Sequence, residues 1–491
     1  MKKIITLLLA LPLFISAQKK DAYKIKVKIN GYKDTVCYLA NYYGAKQYYK
    51  DTAYFDKNGV CTFTGTKPLP EGVYSVVTPD MKYFEMLVTS QNFEVSTDTA
   101  DFVKHMSVKG NKDNQLFYEY LNYIQKVAKD AEPLRKQRAE LAKYSKENEK
   151  ELAEIDKKLK EIEEKINSYR ENIIQKYPDT FIATMFKSMK EPEAPEPPKK
   201  EDGSIDSLFQ YRYIKSHYWD NINFNDERLI YSPIYHNKLE RYFEKIIIKH
   251  PDTIIKEADW VLDKVKDTPE LFKYTVHYLT NKYERSKIMG MDAVFVHMAL
   301  NYYTHDKAFW ADSTVIEKIR ERAKTLEPLL IGKNAPALTL RDTAGNWIPL
   351  YSVNADYTIL VFWDPDCGHC KKEIPKLARY YDEIKDKHNV KVYAVSSEDG
   401  KKWREFIKTN KLDFINVSVP HEVFKDQNMA TELVLSGKTD VQSLNYHKTY
   451  DIYSTPQIYV LDKDKKIIAK RLDADLVKKV LELEWKKEKK K

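Results

Sequence analysis

The segment Tyr357-Thr358-Ile359-Leu360-Val361-Phe362-Trp363 shows no alternation of polar and apolar side chains. So short a run, rich in β-branched and aromatic residues, reads as a strand buried on both faces. With it, two further apolar runs, Val390 to Val395 and Gln457 to Leu461, enclose helical stretches near Pro375 to Ile384 and Lys401 to Lys408. Strands that alternate with helices in this way predict an α/β unit. It opens with Gly332-Lys333-Asn334-Ala335-Pro336 and a hairpin signal at Gly345-Asn346.

The other residues follow other periods, and a chain of 491 residues calls for roughly three folding units. From Tyr23 to about Gly110, short alternating runs such as Tyr23, Ile25, Val27, Ile29 predict a β-sandwich. Cys37 and Cys61 each lie in one of its strands. They are either a disulfide or two buried free thiols, and spacing alone does not choose between these. From about Asp113 to Leu329 the period is helical, and Leu152, Ile155, Leu159, Ile162, Ile166, Tyr169 and Ile173 form one apolar stripe. Continued backward, the stripe meets Arg138, Ser145 and Asn148, which predicts a bend near Ser145. The stretch 191–200 is rich in proline and charge and reads as an exposed loop. The histidines here, among them His277, His297 and His305, lack metal-binding spacing, so no metal site is expected.

The expected organisation is a signal peptide at 1–18, a β-sandwich domain at 20–110, a helical domain at 113–329 and an α/β domain at 331–486. The leader reading rests on Lys2 and Lys3 ahead of the apolar run Ile4 to Ile15, followed by small and polar residues. It predicts a protein that is periplasmic or otherwise exported. The formal charge of +9 is spread over interleaved acids and bases, and neither a P-loop nor a GxGxxG pattern is present. Nucleic-acid binding and nucleotide chemistry are therefore not expected. The basic tail Lys486, Lys487, Lys489, Lys490 and Lys491 reads as a solvated end.

Directly after the buried strand comes Asp364-Pro365-Asp366-Cys367-Gly368-His369-Cys370-Lys371-Lys372-Glu373-Ile374-Pro375. A CxxC pair between a strand and a helix puts its first cysteine at a helix N-terminus, where free N–H groups favour the thiolate, the form that attacks disulfides. His369, when protonated, acts in the same direction, whereas Asp366 opposes it. The spacing lets Cys370 resolve a mixed disulfide formed on Cys367.

This C-terminal third resembles the extracytoplasmic thioredoxin-like proteins of the TlpA/ResA type. The resemblance rests on the Gly-Lys-x-Ala-Pro opening, the Phe362-Trp363 strand end, the CxxC and the Lys371-to-Pro375 sequence after it. It implies a thioredoxin-like fold, a catalytic pair Cys367 and Cys370 with Trp363 and His369 in support, and proton transfer assisted by Glu373. It also implies a cis proline, Pro456, shaping the substrate groove beside Thr455. The fold class expected for the whole is multidomain: β-sandwich, helical middle and α/β thioredoxin-like fold, an order similar to that of multidomain proteins exported by Bacteroidetes. Two departures stand out: Asp366 replaces the usual tryptophan before the first cysteine, and Gly368-His369 is similar to the dipeptide of protein disulfide isomerases. Pro420 to Asn445 is longer than the family core.

The expected activity is a thiol:disulfide oxidoreductase acting on disulfide-bearing proteins, with no cofactor beyond its own redox-active disulfide and a membrane electron donor. Oligomeric state and the direction of electron flow stay open. A thiol peroxidase and a binding or scaffold protein with a regulatory redox domain are the alternatives.

Overall fold

The computed structural model describes residues 21–144, 147–199 and 201–489. The leader and Ser145 lie outside them. Eight N-terminal strands, β1 (Tyr23–Asn30), β2 (Val36–Tyr43), β3 (Lys46–Tyr54), β4 (Val60–Gly65), β5 (Gly72–Val77), β6 (Tyr83–Val88), β7 (Asn92–Asp98) and β8 (Ser107–Lys109), form two sheets. Their orders are β4-β1-β7-β8 and β3-β2-β5-β6. The period-two pattern explains the division of faces: Tyr23, Ile25, Val27 and Ile29 of β1 are buried, and Lys24 and Lys28 between them are exposed. Cys37 on β2 and Cys61 on β4 belong to different sheets, and both are buried free thiols. They touch, and the hydrogen bond to Cys37, followed by burial, pushes the Cys61 thiol up.

The Lys112–Leu141 helix starts at Asn111, whose side chain accepts from the Asn114 N–H. Asn114 fastens this helix to β6 by accepting from Leu87 N (2.7 Å) and donating to Leu87 O (2.6 Å). The chain turns back after Leu141 and re-enters helix at Glu149–Lys176. The two helices are antiparallel partners: Arg138 Nε meets Asp156 at 2.5 Å near the turn, and the Tyr123 and Tyr169 rings stack at 4.4 Å further along. The apolar stripe of the second helix faces the first, with Ile155 and Ile173 buried and the rest half-buried. Residues 190–198 are without helix or strand.

Two compact units divide the chain. The first holds the described residues up to Ile247 with Lys264–Tyr274, and the second holds Ile248–Asp263 with the described residues from Thr275 onward. In the second unit, seven strands, β9 (Thr339–Asp342), β10 (Trp347–Pro349), β11 (Tyr357–Trp363), β12 (Val390–Ser396), β13 (Ile415–Ser418), β14 (Gln457–Leu461) and β15 (Ile467–Leu472), make one sheet in the order β10-β9-β13-β12-β11-β14-β15. β11 runs parallel to β12 and antiparallel to β14, and all seven of its residues are buried.

Its two faces feed two cores. Ile359, Val361 and Trp363 pack with Ile374 and Leu377 of the Cys370–Ile384 helix and with Val477 and Leu481 of the Ala474–Glu488 helix. Leu360 and Phe362 point the other way, toward Leu338, Leu350, Tyr446 and Tyr450. The long segment after β13 forms short helices at His421–Lys425, Gln427–Leu435 and Val441–Leu444. It is tied to β9, with Thr439 Oγ1 donating to Thr339 O (2.7 Å) and the Thr339 N–H to Ser443 Oγ (2.8 Å).

Candidate active site

The end of β11 delivers the chain into a turn organised by Asp364. Its Oδ1 accepts from the N–H groups of Asp366 (2.7 Å) and Cys367 (3.2 Å), and its Oδ2 accepts from Ser397 Oγ (2.6 Å), just past β12. An aspartate bonding N–H groups two and three residues ahead is the ordinary way to start a turn or cap a helix. Here it also pins that turn to the neighbouring strand. Cys370 is the first residue of the following helix, which places Cys367 at the helix entrance.

The two sulfurs differ in access and in protonation. Cys370 is fully buried, receives the Asp364 N–H at 3.4 Å, and is pushed up to about 12 chiefly by its burial. Cys367 is half-buried. Burial alone would raise its pKa as well, but the Cys370 N–H, 3.5 Å from its sulfur, and a side-chain hydrogen bond from Thr455 outweigh this and bring it below the ordinary thiol value. As a thiol, Cys367 donates to the Thr455 carbonyl at 3.3 Å. The Thr455-Pro456 peptide is cis, and both residues are partly open to solvent beside the sulfur. The arrangement is an accessible, acidic thiol backed by a sealed, basic one.

The sequence of this domain, residues 331–470, matches the model of the AhpC/TSA family. This C-terminal third is a thioredoxin-family domain of the AhpC/TSA type. Residues 23–117 and 170–327 match two domains of unknown function, DUF4369 and DUF5106. Among curated relatives, a thiol-disulfide oxidoreductase ResA of Bacillus cereus is 26% identical over 145 residues, which are 29% of this chain and 70% of that protein. The ResA of Bacillus subtilis (strain 168) is 28% identical over 142 residues, covering 29% and 67% respectively. Among solved structures, a domain of a possible thiol-disulfide isomerase from Cytophaga hutchinsonii ATCC 33406 is 39% identical, covering 33% of this chain and 99% of that one, with a TM-score of 0.26.

Within the AhpC/TSA domain the remaining sequence-designated residues have distinct places. Trp363 closes β11, fully buried, with its ring 4.9 Å from that of Phe406. His369 is exposed at the start of the helix. Glu373 lies one turn beyond Cys370, but its carboxylate is engaged elsewhere: Oε1 accepts from Lys376 Nζ (2.9 Å) and Oε2 from the Ala474 N–H (3.1 Å), which caps the last helix. The hydrogen bond from Lys376 holds it below the usual carboxylate range against the opposing effect of burial. Asp366 is paired with Lys402 at 2.5 Å, so its charge beside Cys367 is partly neutralised.

Two residues at the centre were not singled out from the sequence as site residues: Asp364 and its partner Ser397. The signal for Asp364 was present, since an aspartate three residues ahead of a helix-entry cysteine is a turn-initiating position. Ser397 has no local signal, because only the β11–β12 pairing brings it near.

Proposed function

We propose that the chain is an exported thiol:disulfide oxidoreductase in which Cys367 is the attacking sulfur and Cys370 the resolving one. The observation that carries this reading is the asymmetry of the pair, a half-open thiol of lowered pKa against a fully buried one pushed up to about 12. The Cys367 thiolate attacks one sulfur of a substrate disulfide, forming a mixed disulfide and releasing the other as thiolate. Cys370 then loses its proton and attacks Cys367, which releases the second substrate thiol and leaves a Cys367–Cys370 disulfide. Two electrons and two protons pass to the substrate, and a further dithiol, from a membrane donor in this proposal, restores the starting state.

Thr455 and Pro456 form the wall along which a substrate polypeptide is laid, and the Thr455 carbonyl bond fixes the Cys367 sulfur facing it. Disulfide-bearing proteins outside the cytoplasm are the proposed substrates, in keeping with the leader-like start of the sequence and with the thiol-disulfide oxidoreductase activity for which the ResA relatives are named. The peroxidase alternative is less well supported, since peroxidases of the peroxiredoxin kind normally carry a threonine three residues before the reactive cysteine, and here that position is Asp364, bonded to Ser397. The test is reduction of insulin disulfides by the intact protein with dithiothreitol as electron source. Turnover that disappears in Cys367→Ser supports the proposal, and a wild-type rate no faster than dithiothreitol alone refutes it.

A further inference from the structure

The first compact unit contains a cavity of about 420 Å³ that no part of the redox chemistry uses. That volume lies within the ~300–1,000 Å³ of small-molecule sites. Its wall is aromatic, built from Phe117, Tyr120, Phe186 and Tyr218. Both tyrosine hydroxyls are engaged outside the cavity, Tyr120 accepting from Arg170 Nε (2.7 Å) and Tyr218 donating to Lys238 O (3.0 Å), so an occupant meets chiefly the ring faces. Against this wall stands Ser188, 1% exposed, whose Oγ has no hydrogen-bond partner among the described residues. A buried hydroxyl left unmatched costs stability, and an acceptor on a bound molecule would satisfy it.

The polar side of the cavity is cationic. Lys238, 5% exposed, donates to Lys190 O (2.8 Å) and Glu191 Oε1 (3.1 Å), with its ammonium 4.9 Å from the centre of the Tyr218 ring. Arg241 reaches the same Glu191 at only 3.6 Å and is half exposed. Two cations thus share one carboxylate, which leaves one positive charge without a counterion, among the described residues, at the edge of an apolar chamber.

We propose that this cavity is a binding site for a small monoanion with an aromatic or branched apolar body and a carboxylate head. The body lies on the four rings, the head pairs with Arg241 and Lys238, and an oxygen accepts from Ser188. The site is independent of Cys367 and Cys370.

The test is isothermal titration calorimetry of the whole chain with 4-phenylbutanoate and, as a neutral counterpart, 4-phenylbutanol. The expected result is one saturable site for the carboxylate, with the alcohol bound about tenfold more weakly or worse. Arg241→Glu, on a half-exposed side chain, weakens the carboxylate by about tenfold and leaves the alcohol nearly unchanged. Met185→Trp, which fills the cavity, removes both. The proposal is overturned by an absence of saturable binding at millimolar carboxylate, by an alcohol that binds as tightly, or by an Arg241→Glu chain that binds the carboxylate as the wild type does.

Discussion

Two carboxylates stand within three residues of Cys367, and their surroundings make them unequal. Asp366 is exposed and has Lys402 beside it at 2.5 Å. Asp364 instead organises the turn through three accepted hydrogen bonds, and none of these three donors is cationic. A negative charge at that position should oppose formation of the Cys367 thiolate, against the acidity that the helix entrance promotes. The pH profile of alkylation tests this. The Cys367 thiolate fraction rises with pH through a midpoint below the usual thiol value, whereas Cys370 stays protonated until about 12. Iodoacetamide near neutral pH is therefore expected to label Cys367 alone. Asp364→Asn keeps an oxygen acceptor for the turn but removes the charge, so the midpoint moves to lower pH, by about one unit, and the pair becomes more oxidising. An unchanged midpoint, or labelling of Cys370 first, would refute this account of the site.

At the scale of elements, β11 was legible in the sequence to the residue because both-face burial leaves a run with no polar interruption. The apolar pattern starts the next helix near Pro375 whereas the cysteine motif puts its entrance at Cys367; the helix begins at Cys370, as the motif implies, so that Pro375 lies inside it. Proline argues for a boundary, and here the packing of Ile374 and Leu377 under β11 overrides that preference. The apolar stripe from Leu152 to Ile173 was legible in the same way, whereas its partner, the Lys112–Leu141 helix, was less so, because polar residues such as Arg138 occupy the continued seam. Glu373 shows a different limit: position assigned it to Cys370, and the N-terminus of the Ala474–Glu488 helix, distant in sequence, holds its carboxylate. Leu377 is fully buried in the same core as Cys370. Leu377→Ala should destabilise the domain by ~2–5 kcal/mol. Following alkylation of the sealed Cys370 along a urea series measures this directly, and Cys370 should open at clearly lower urea than in the wild type. No change in that midpoint would mean the helix contributes little to sealing the thiol.

At the scale of the molecule, the change of periodicity marks a boundary near residue 330, yet the second compact unit contains both the helices from Thr275 onward and the thioredoxin-like sheet. A buried ion pair explains part of this union. Lys470 on β15 donates to Asp292, at the start of the Asp292–Tyr302 helix, and to the Leu329 carbonyl, with both charged side chains under a tenth exposed. No local pattern announces such a pair, since each partner looks like a surface residue in sequence. Asp292→Ala strands a buried ammonium and should cost ~3–5 kcal/mol, whereas replacing both partners with apolar residues should recover most of that loss. The urea midpoint of Cys370 exposure again reports it, and equal midpoints for Asp292→Ala and wild type would contradict the linkage.

The central claim is the division of labour between the two sulfurs, and mass spectrometry of the Cys370→Ala protein mixed with an oxidised, disulfide-bonded peptide tests it most directly. A stable mixed disulfide on Cys367, absent when Cys367→Ala is used instead, is the predicted result. No adduct in Cys370→Ala, or an adduct on Cys370 in the Cys367→Ala protein, would contradict it.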